Sequence, residues 1–112
     1  MSEKKVSYRT MRRVEFYETD LAGLVHFANF FRYMESAEHE FLRSIGEVIH
    51  GKSEGRETGW PRVNASCDYR KPARFGDEIA IEVTVEEVRR RSVRYGFVFS
   101  IRGEEIATGS IT

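Results

Sequence analysis

The chain has 112 residues, 40% of them hydrophobic, and its eight Phe, five Tyr and one Trp are typical of a folded protein. This length predicts one domain spanning residues 1–112. The 18 Lys and Arg balance the 18 Asp and Glu. This neutrality argues against nucleic-acid binding, which depends on excess positive charge. The single cysteine, Cys67, excludes an internal disulfide and argues against a cysteine-based metal site.

Membrane and export signals are not apparent in the sequence. No apolar run reaches the ~20 residues that a membrane helix needs. Met1–Lys5 are polar or charged, and no apolar region of a signal peptide follows them. We therefore expect a cytoplasmic protein with no membrane span.

The first elements are a strand and a turn. Residues 6–17 mix aromatic and aliphatic side chains with arginines, which predicts a strand. The acidic residues and glycine of Glu18–Gly23 predict a turn. On this interpretation the strand ends at Asp20.

A long amphipathic helix is predicted over Ala28–Ile45, which contains no Gly or Pro. Apolar side chains recur at steps of three and four residues, namely at Phe30, Met34, Ala37, Phe41 and Ile45. Gly46 is a natural helix stop. A helix with such a wide apolar face needs a large apolar partner, and the rest of the chain offers only strands.

Residues 46–60 are polar and contain three glycines, which predicts a long connection without regular structure. Connections of this length are often functional. An exposed connection with no role explains the same composition, so both interpretations stay open.

Strand patterns dominate the remainder of the chain. Apolar and polar residues alternate over 63–69, 79–85 and 93–101, and another strand follows an Arg102–Gly103 turn over Ile106–Thr112. The alternation slips between Val85 and Val88, which predicts a bulge. One apolar face per strand predicts an antiparallel sheet covered on one side, so we expect an α+β fold with the sheet wrapped around the helix.

Asp20 is the first candidate for chemistry, because it lies just before the predicted helix. Free N–H groups and the positive end of the helix dipole can hold an oxyanion or polarise a carbonyl there. A carboxylate facing these donors can serve as base or nucleophile in acyl transfer. An Asp that merely caps the helix is the alternative.

The same segment resembles a known family. Asp-x-x-Gly-x-Val-x-x-x-x-Phe, then Arg-Tyr-Met-Glu and Phe-Leu-Arg-x-x-Gly, is similar to the hot-dog acyl-CoA thioesterases of the 4-hydroxybenzoyl-CoA thioesterase branch. The matching residues are Asp20, Gly23, Val25, Asn29, Phe30, Tyr33, Glu35, Phe41, Leu42 and Gly46. The resemblance continues through the strands, where it is only compositional.

The resemblance implies a fold, an assembly and a site. Such proteins wrap a sheet of about five strands around a long helix and join sheets edge to edge in homodimers, often paired into homotetramers. The family's catalytic aspartate matches Asp20, and the backbone N–H that polarises the thioester carbonyl matches Phe27. His26 is expected either near the acyl group or as an exposed turn residue. Glu35 is expected to be structural, paired with an arginine such as Arg32 or Arg9.

Arg89, Arg90 and Arg91 form the densest basic run of the chain. Guanidinium groups bind phosphates through forked hydrogen bonds, and relatives carry basic residues here that contact coenzyme A. A solvated turn between strands is the alternative. Because alternate residues of a strand face opposite ways, we expect that not all three arginines contact one ligand. Cys67 falls in the apolar phase of its strand and is expected to be a core residue.

These observations predict a thioesterase that hydrolyses an acyl-CoA to the free acid and coenzyme A, with no metal or cofactor. Hydrolysis of an acyl group on acyl carrier protein is an alternative enzymatic function. A non-catalytic acyl-CoA-binding protein on the same fold is another class, against which Asp20 argues. A dehydratase would need a separate His and carboxylate pair, which the sequence does not offer. The acyl group stays undetermined.

Overall fold

The computed structural model describes residues 6–46, 51–53, 56–58 and 61–112. Its elements, in chain order, are β1 (Ser7–Arg13), a 3₁₀ turn (Phe16–Glu18), α1 (Asn29–Ser44), β2 (Gly51–Ser53), β3 (Arg56–Thr58), β4 (Ala65–Tyr69), β5 (Glu78–Val88), β6 (Val93–Ile101) and β7 (Glu104–Ile111). No helix among these residues is long and apolar enough to cross a membrane.

Five strands form one antiparallel sheet in the order β1-β5-β6-β7-β4, and α1 packs on one face of it. The core lies between the helix stripe and the inward-facing strand residues. Its largest fully buried side chains are Tyr33, Phe97, Phe99, Met34, Ile79, Ile81, Val14 and Val83. The predicted α+β architecture, a sheet around one long helix, is confirmed.

The helix forms as its apolar spacing predicts. The positions at steps of three and four turn inward, and Phe30, Met34, Ala37 and Phe41 are buried. Ile45 is exposed, because the helix ends before it. Gly46 follows with a φ of 83°, a left-handed conformation that glycine adopts without strain.

The first strand is shorter than predicted. It ends at Arg13, and the 3₁₀ turn of Phe16–Glu18 replaces the rest of the expected strand. The turn is stabilised by the buried Glu18 side chain, which accepts the Glu15 N–H at 2.8 Å. The prediction that a strand runs as far as Asp20 is therefore wrong, because an acidic side chain folds back onto the backbone there.

The region 46–60 is more regular than expected. Gly51–Ser53 and Arg56–Thr58 pair as a small antiparallel sheet, with Gly51 opposite Thr58. The prediction of an unstructured connection is wrong for these six residues. Residues 47–50, 54, 55, 59 and 60 lie outside the described part of the chain.

The predicted irregularities of the sheet are present. The β5–β6 register shifts between Val85 and Glu87, as the slip in the alternation predicts. Arg102 and Gly103, with φ of 52° and 81°, turn the chain from β6 into β7. Two successive positive φ values suit the twist of a tight hairpin, and glycine meets this requirement at the second position.

Candidate active site

Asp20 lies in a tight turn that leads to the helix. Its backbone N–H donates to the Leu24 carbonyl at 2.8 Å, and its carboxylate Oδ1 accepts the Ala22 and Leu24 N–H groups at 2.9 and 3.2 Å. Gly23 completes the turn with a φ of 80°. The side chain is exposed, and Oδ2 has no hydrogen-bond partner among the described residues. One carboxylate oxygen therefore holds the turn while the other stays available.

Asp20 does not cap the helix. The residue at the N-cap of α1 is Ala28, which provides no side-chain hydrogen bond, and the Asp20 bonds stay inside its own turn. Of the two interpretations of Asp20, the helix-capping one is thus wrong.

The segment between Asp20 and the helix is held by bonds on both sides. The His26 N–H donates to the Glu18 carbonyl at 2.9 Å, and the Val25 N–H donates to the Ala73 carbonyl at 2.8 Å. The His26 carbonyl accepts the Asn29 N–H at 2.9 Å, and its imidazole Nδ1 accepts the Ala28 N–H at 3.2 Å. His26 is an exposed turn residue that orders the first turn of α1.

The Phe27 N–H lies at the centre of this ordered segment. The Phe27 carbonyl accepts the Phe30 N–H at 3.1 Å and the Tyr69 hydroxyl at 2.9 Å. Within the described residues, no acceptor pairs with the Phe27 N–H itself. A fixed and unpaired N–H at a helix start can donate to an anionic oxygen.

A buried polar network lies beneath the site. Glu18 accepts hydrogen bonds from the Arg12 guanidinium and from the Tyr33 hydroxyl, the latter at 2.9 Å. The Arg12 guanidinium carbon also lies 5.1 Å from the centre of the Tyr33 ring. Burial, and then the bond to Glu18, raise the pKa of Tyr33. Sequence reasoning missed this network, because only the fold brings these three residues together.

Glu18 also supports the helix start through its backbone. Its carbonyl accepts the Asn29 side-chain Nδ2 at 2.8 Å in addition to the His26 N–H. The turn of Phe16–Glu18 and the first residue of α1 are therefore one hydrogen-bonded unit. Asn29, one of the residues that match the family motif, connects the 3₁₀ turn to the start of the helix.

The basic run lies at the β5–β6 turn, away from Asp20 in the same chain. Arg89, Arg90 and Arg91 are exposed; Arg89 pairs with Glu87, and its N–H donates to the Ser92 carbonyl at 2.8 Å. Residues 73–77, which contact the Asp20 turn, lead directly into β5. The full length of β5, about 33 Å at 3.3 Å per residue, therefore separates the Asp20 turn from the arginine run.

Glu35 pairs with an arginine, but not with either of the two expected. Its carboxylate lies 3.7 Å from the Arg62 guanidinium. Arg62 makes its closer contacts with the buried Glu38, one of them at 2.8 Å. The segment just before β4 reaches the helix in this way, so the expected pairing with Arg32 or Arg9 is wrong.

Cys67 is half-buried and packs against the core from β4. Burial raises the pKa of its thiol, which disfavours the nucleophilic thiolate. Both observations agree with the predicted core role.

Comparison with known proteins identifies the family. A model described as the Thioesterase superfamily matches residues 22–107, most of the chain, and begins two residues after Asp20. A protein of Aquifex aeolicus (strain VF5) whose name suggests an esterase is 42% identical over 89 residues, 78% of this chain and 67% of that protein. A 1,4-dihydroxy-2-naphthoyl-CoA hydrolase of Prochlorococcus marinus (strain NATL1A) is 33% identical over 107 residues, 89% of this chain and 71% of that protein.

Solved structures support the fold. The 4-hydroxybenzoyl-CoA thioesterase of Pseudomonas sp. strain CBS-3 superposes with a TM-score of 0.78 at 20% identity, covering 94% of this chain and 81% of that one. The predicted hot-dog fold and the prediction of a thioester hydrolase are confirmed at the level of the family. The chain belongs to the thioesterase superfamily.

Proposed function

We propose that the protein hydrolyses an acyl-CoA thioester to a carboxylic acid and coenzyme A, with Asp20 and the Phe27 N–H as its catalytic groups. The observation that carries this proposal is the unpaired N–H of Phe27, held at the helix start beside the Asp20 turn. Membership of the thioesterase superfamily supports the same reaction.

The Phe27 N–H serves as the oxyanion donor. When the thioester carbon becomes tetrahedral, negative charge develops on the carbonyl oxygen. A donor that is already oriented stabilises this charge without reorganising at the moment of reaction. The positive end of the α1 dipole adds to the same effect. His26 contributes by holding the Ala28 N–H and thus the geometry of the turn.

Asp20 supplies the second catalytic element through Oδ2. As a nucleophile it attacks the thioester carbon, the C–S bond breaks and coenzyme A leaves as the thiolate; water then hydrolyses the mixed anhydride. As a general base it removes a proton from the attacking water instead. The hydrogen bonds to Oδ1 orient the carboxylate for either role.

We propose an aromatic acyl group as the substrate class. Relatives of this chain are named 1,4-dihydroxy-2-naphthoyl-CoA hydrolases. The rings of Phe27, Phe16 and Phe75 are exposed near the Asp20 turn, and exposed aromatic faces favour stacking with an aryl group. Coenzyme A phosphates would be bound by Arg89–Arg91. These residues lie in the turn between β5 and β6, so the expectation that strand alternation separates them is wrong. The length of β5 makes this run more suited to the site of a neighbouring subunit than to its own.

Hydrolysis of an acyl group on acyl carrier protein would use the same two groups, with the basic run against an acidic protein surface. A non-catalytic acyl-CoA-binding protein would need no carboxylate beside the thioester. The free Oδ2 of Asp20 favours an enzyme.

Asp20→Asn tests the proposal. The amide retains an oxygen that accepts the Ala22 and Leu24 N–H groups, so the turn and the melting temperature stay close to the wild type. Turnover should fall about 10²–10⁴-fold, as on removal of a positioned base. The measurement is thiol release from benzoyl-CoA and 1,4-dihydroxy-2-naphthoyl-CoA, with short and long aliphatic acyl-CoAs in parallel.

Asp77→Asn is the matched control, because Asp77 also holds a turn by accepting a backbone N–H, that of Arg74 at 2.8 Å. It should retain wild-type turnover. A folded Asp20→Asn protein with near wild-type turnover would remove Asp20 from the chemistry and leave it as a residue that holds its turn.

A further inference from the structure

Tyr69 reaches the helix start from the far edge of the sheet. It is the last residue of β4, and its hydroxyl donates to the Phe27 carbonyl at 2.9 Å across 42 residues of sequence. Its ring meets the Phe27 and Phe30 rings edge-on, with centroids 6.4 and 5.2 Å away. One hydrogen bond and one ring contact therefore fix Tyr69 against Phe27, which carries the unpaired N–H, and a second ring contact joins Tyr69 to Phe30.

The bond at Phe27 adds a restraint from the sheet to those that the helix start already provides. Phe27 precedes α1, so its N–H is outside the repeating bonds of the helix. The adjacent carbonyls, those of His26 and Phe27, accept the N–H groups of Asn29 and Phe30. The Tyr69 hydroxyl is the side-chain donor that reaches this segment from the sheet.

The Tyr69 hydroxyl keeps its proton near neutral pH. Burial raises the pKa of Tyr69 to about 12, so near neutral pH the group is a neutral donor. A donor that never ionises near neutral pH gives the Phe27 carbonyl a constant partner.

We propose that Tyr69 is a positioning residue for thioester hydrolysis: its hydroxyl fixes the Phe27 backbone so that the Phe27 N–H points at the carbonyl oxygen of the substrate. This inference rests on the proposed function. Catalysis by an oriented donor is sensitive to small displacements, and a shift of about 1 Å can cost about 10²-fold in rate. A hydrogen bond that anchors the donor's own residue therefore affects the rate more than the binding of substrate.

Tyr69→Phe is the test, because it removes the hydroxyl and retains the ring contacts. We expect kcat to fall about 10-fold or more, with KM and the melting temperature close to wild-type values. Tyr8→Phe is the matched control: the chemical change is the same, but the Tyr8 ring packs on Phe41 in the last turns of the helix. It should leave kcat unchanged. An unchanged kcat in Tyr69→Phe would overturn the proposal.

A second readout does not depend on turnover. In protein labelled with ¹⁵N-phenylalanine, the probe is a benzoyl-CoA analogue in which CH₂ replaces the thioester sulfur and the carbonyl is retained. Its binding should move the Phe27 amide proton downfield in the wild type, and much less in Tyr69→Phe. An equal shift in both proteins would reject the role of Tyr69. Lack of thioester hydrolysis by the wild type would instead reject the proposed function.

Discussion

Glu18 connects three parts of the chain through one side chain and one carbonyl. The carboxylate binds Arg12 on β1 and Tyr33 on α1, and the carbonyl accepts donors from His26 and Asn29. A buried carboxylate is stable only when it is paired and hydrogen-bonded in this way. The network thus fixes the distance between the edge strand and the helix start, where the proposed catalytic groups lie.

Glu18→Gln should destabilise the protein by about 2–3 kcal/mol. Loss of one partner of a buried ion pair costs about 3–5 kcal/mol. The cost here is lower, because the Arg12 side chain is 33% exposed and solvent screens its charge. The measurement is the free energy of unfolding from urea denaturation.

Glu78→Gln is the control for that substitution. Glu78 lies 3.0 Å from Arg13, but the two side chains are 49% and 68% exposed. Surface pairs contribute about 0–1 kcal/mol, so this variant should unfold almost as the wild type does. Equal losses in the two variants would contradict a special role for the buried network.

Sequence reasoning predicted part of this site. The sequence predicts Asp20, His26 and Phe27 as site residues, and the structure places them close together before the helix. The sequence could not identify Tyr69, which is 42 residues from Phe27 and meets it only after the sheet has formed. The sequence predicts only a turn at Glu18, since burial of a single acidic side chain leaves no periodic signal.

At the scale of elements, the close approach of α1 to β7 depends on Gly109. A Cβ at this position would lie 2.6 Å from the Met34 Sδ and 2.9 Å from the Ser66 carbonyl oxygen. The Ser66 carbonyl belongs to the backbone of β4, so it cannot move away without disturbing the β4–β7 pairing. In that pairing Gly109 is opposite Cys67.

Gly109→Ala should therefore lower the free energy of unfolding by about 1–3 kcal/mol, as overpacking of a core does. Gly96→Ala is the matched control on the neighbouring strand. The nearest atoms to a Cβ there are those of the Glu86 carboxyl group, the end of a flexible side chain that can rotate away. Chemical denaturation of the two variants checks this, and a smaller loss for Gly109→Ala than for Gly96→Ala would contradict it.

The β5–β6 turn carries the proposed phosphate contacts. Replacing Arg89, Arg90 and Arg91 together with Ala should raise KM for an acyl-CoA more than KM for the matching N-acetylcysteamine thioester, which has no nucleotide. Bonds of this kind contribute about 1.5–3 kcal/mol each when formed. Steady-state kinetics with both substrates decides the point, and equal changes would show that the run does not contact the nucleotide.

Strand and helix limits followed the sequence closely where one face is buried. The alternation over 79–85 and 93–101 predicted β5 and β6, and the slip after Val85 predicted the bulge. The strand order could not be predicted, because alternation shows which face is buried but not which strand is the neighbour. It is this order that leaves β1 and β4 as the two edges.

At the scale of the whole molecule, several apolar side chains near the Asp20 turn are exposed in one chain. The exposed residues Phe16, Tyr17, Leu21, Phe27 and Phe75 all belong to the segments around the Asp20 turn. Exposed apolar side chains gathered in one region mark a binding surface. We expect the substrate and a second copy of the chain to cover this surface together.

The two edges of the sheet differ in how they resist pairing. β1 carries Arg9 and Arg13 on its exposed positions, whereas the β4 sequence Ala-Ser-Cys-Asp-Tyr has one charge. Charged side chains protect an edge strand from joining another sheet. The β4 edge is therefore the one that we expect to pair in a homodimer. Such pairing would put the proposed active site, at the Tyr69 end of β4, near the subunit interface.

The hydrogen-bond pattern indicates which β4 groups would form that interface. The N–H of Asn64 donates to the Thr112 carbonyl, and the N–H of Thr112 donates to the Asn64 carbonyl. Hydrogen-bonded pairs alternate along an antiparallel ladder, so the N–H groups of Ser66 and Asp68 also bond to β7. The N–H groups of Ala65, Cys67 and Tyr69 then point to the free edge. On β1, the Val85 N–H donates to the Val6 carbonyl, so Val6 and every second residue after it bond to β5. Met11 falls between these positions, and its N–H therefore points outward from β1.

We predict that the wild type sediments as a dimer, or as a tetramer of paired dimers, and that Cys67→Pro shifts it toward the monomer. Proline removes one outward N–H from the β4 edge without removing a bond to β7. Met11→Pro makes the same change on β1 and should leave the assembly intact. Analytical ultracentrifugation at micromolar concentration measures both variants, and amide exchange of the wild type should show Cys67 more protected than Met11. A fully active wild-type monomer of about 13 kDa, or equal exchange at the two edges, would contradict pairing through β4.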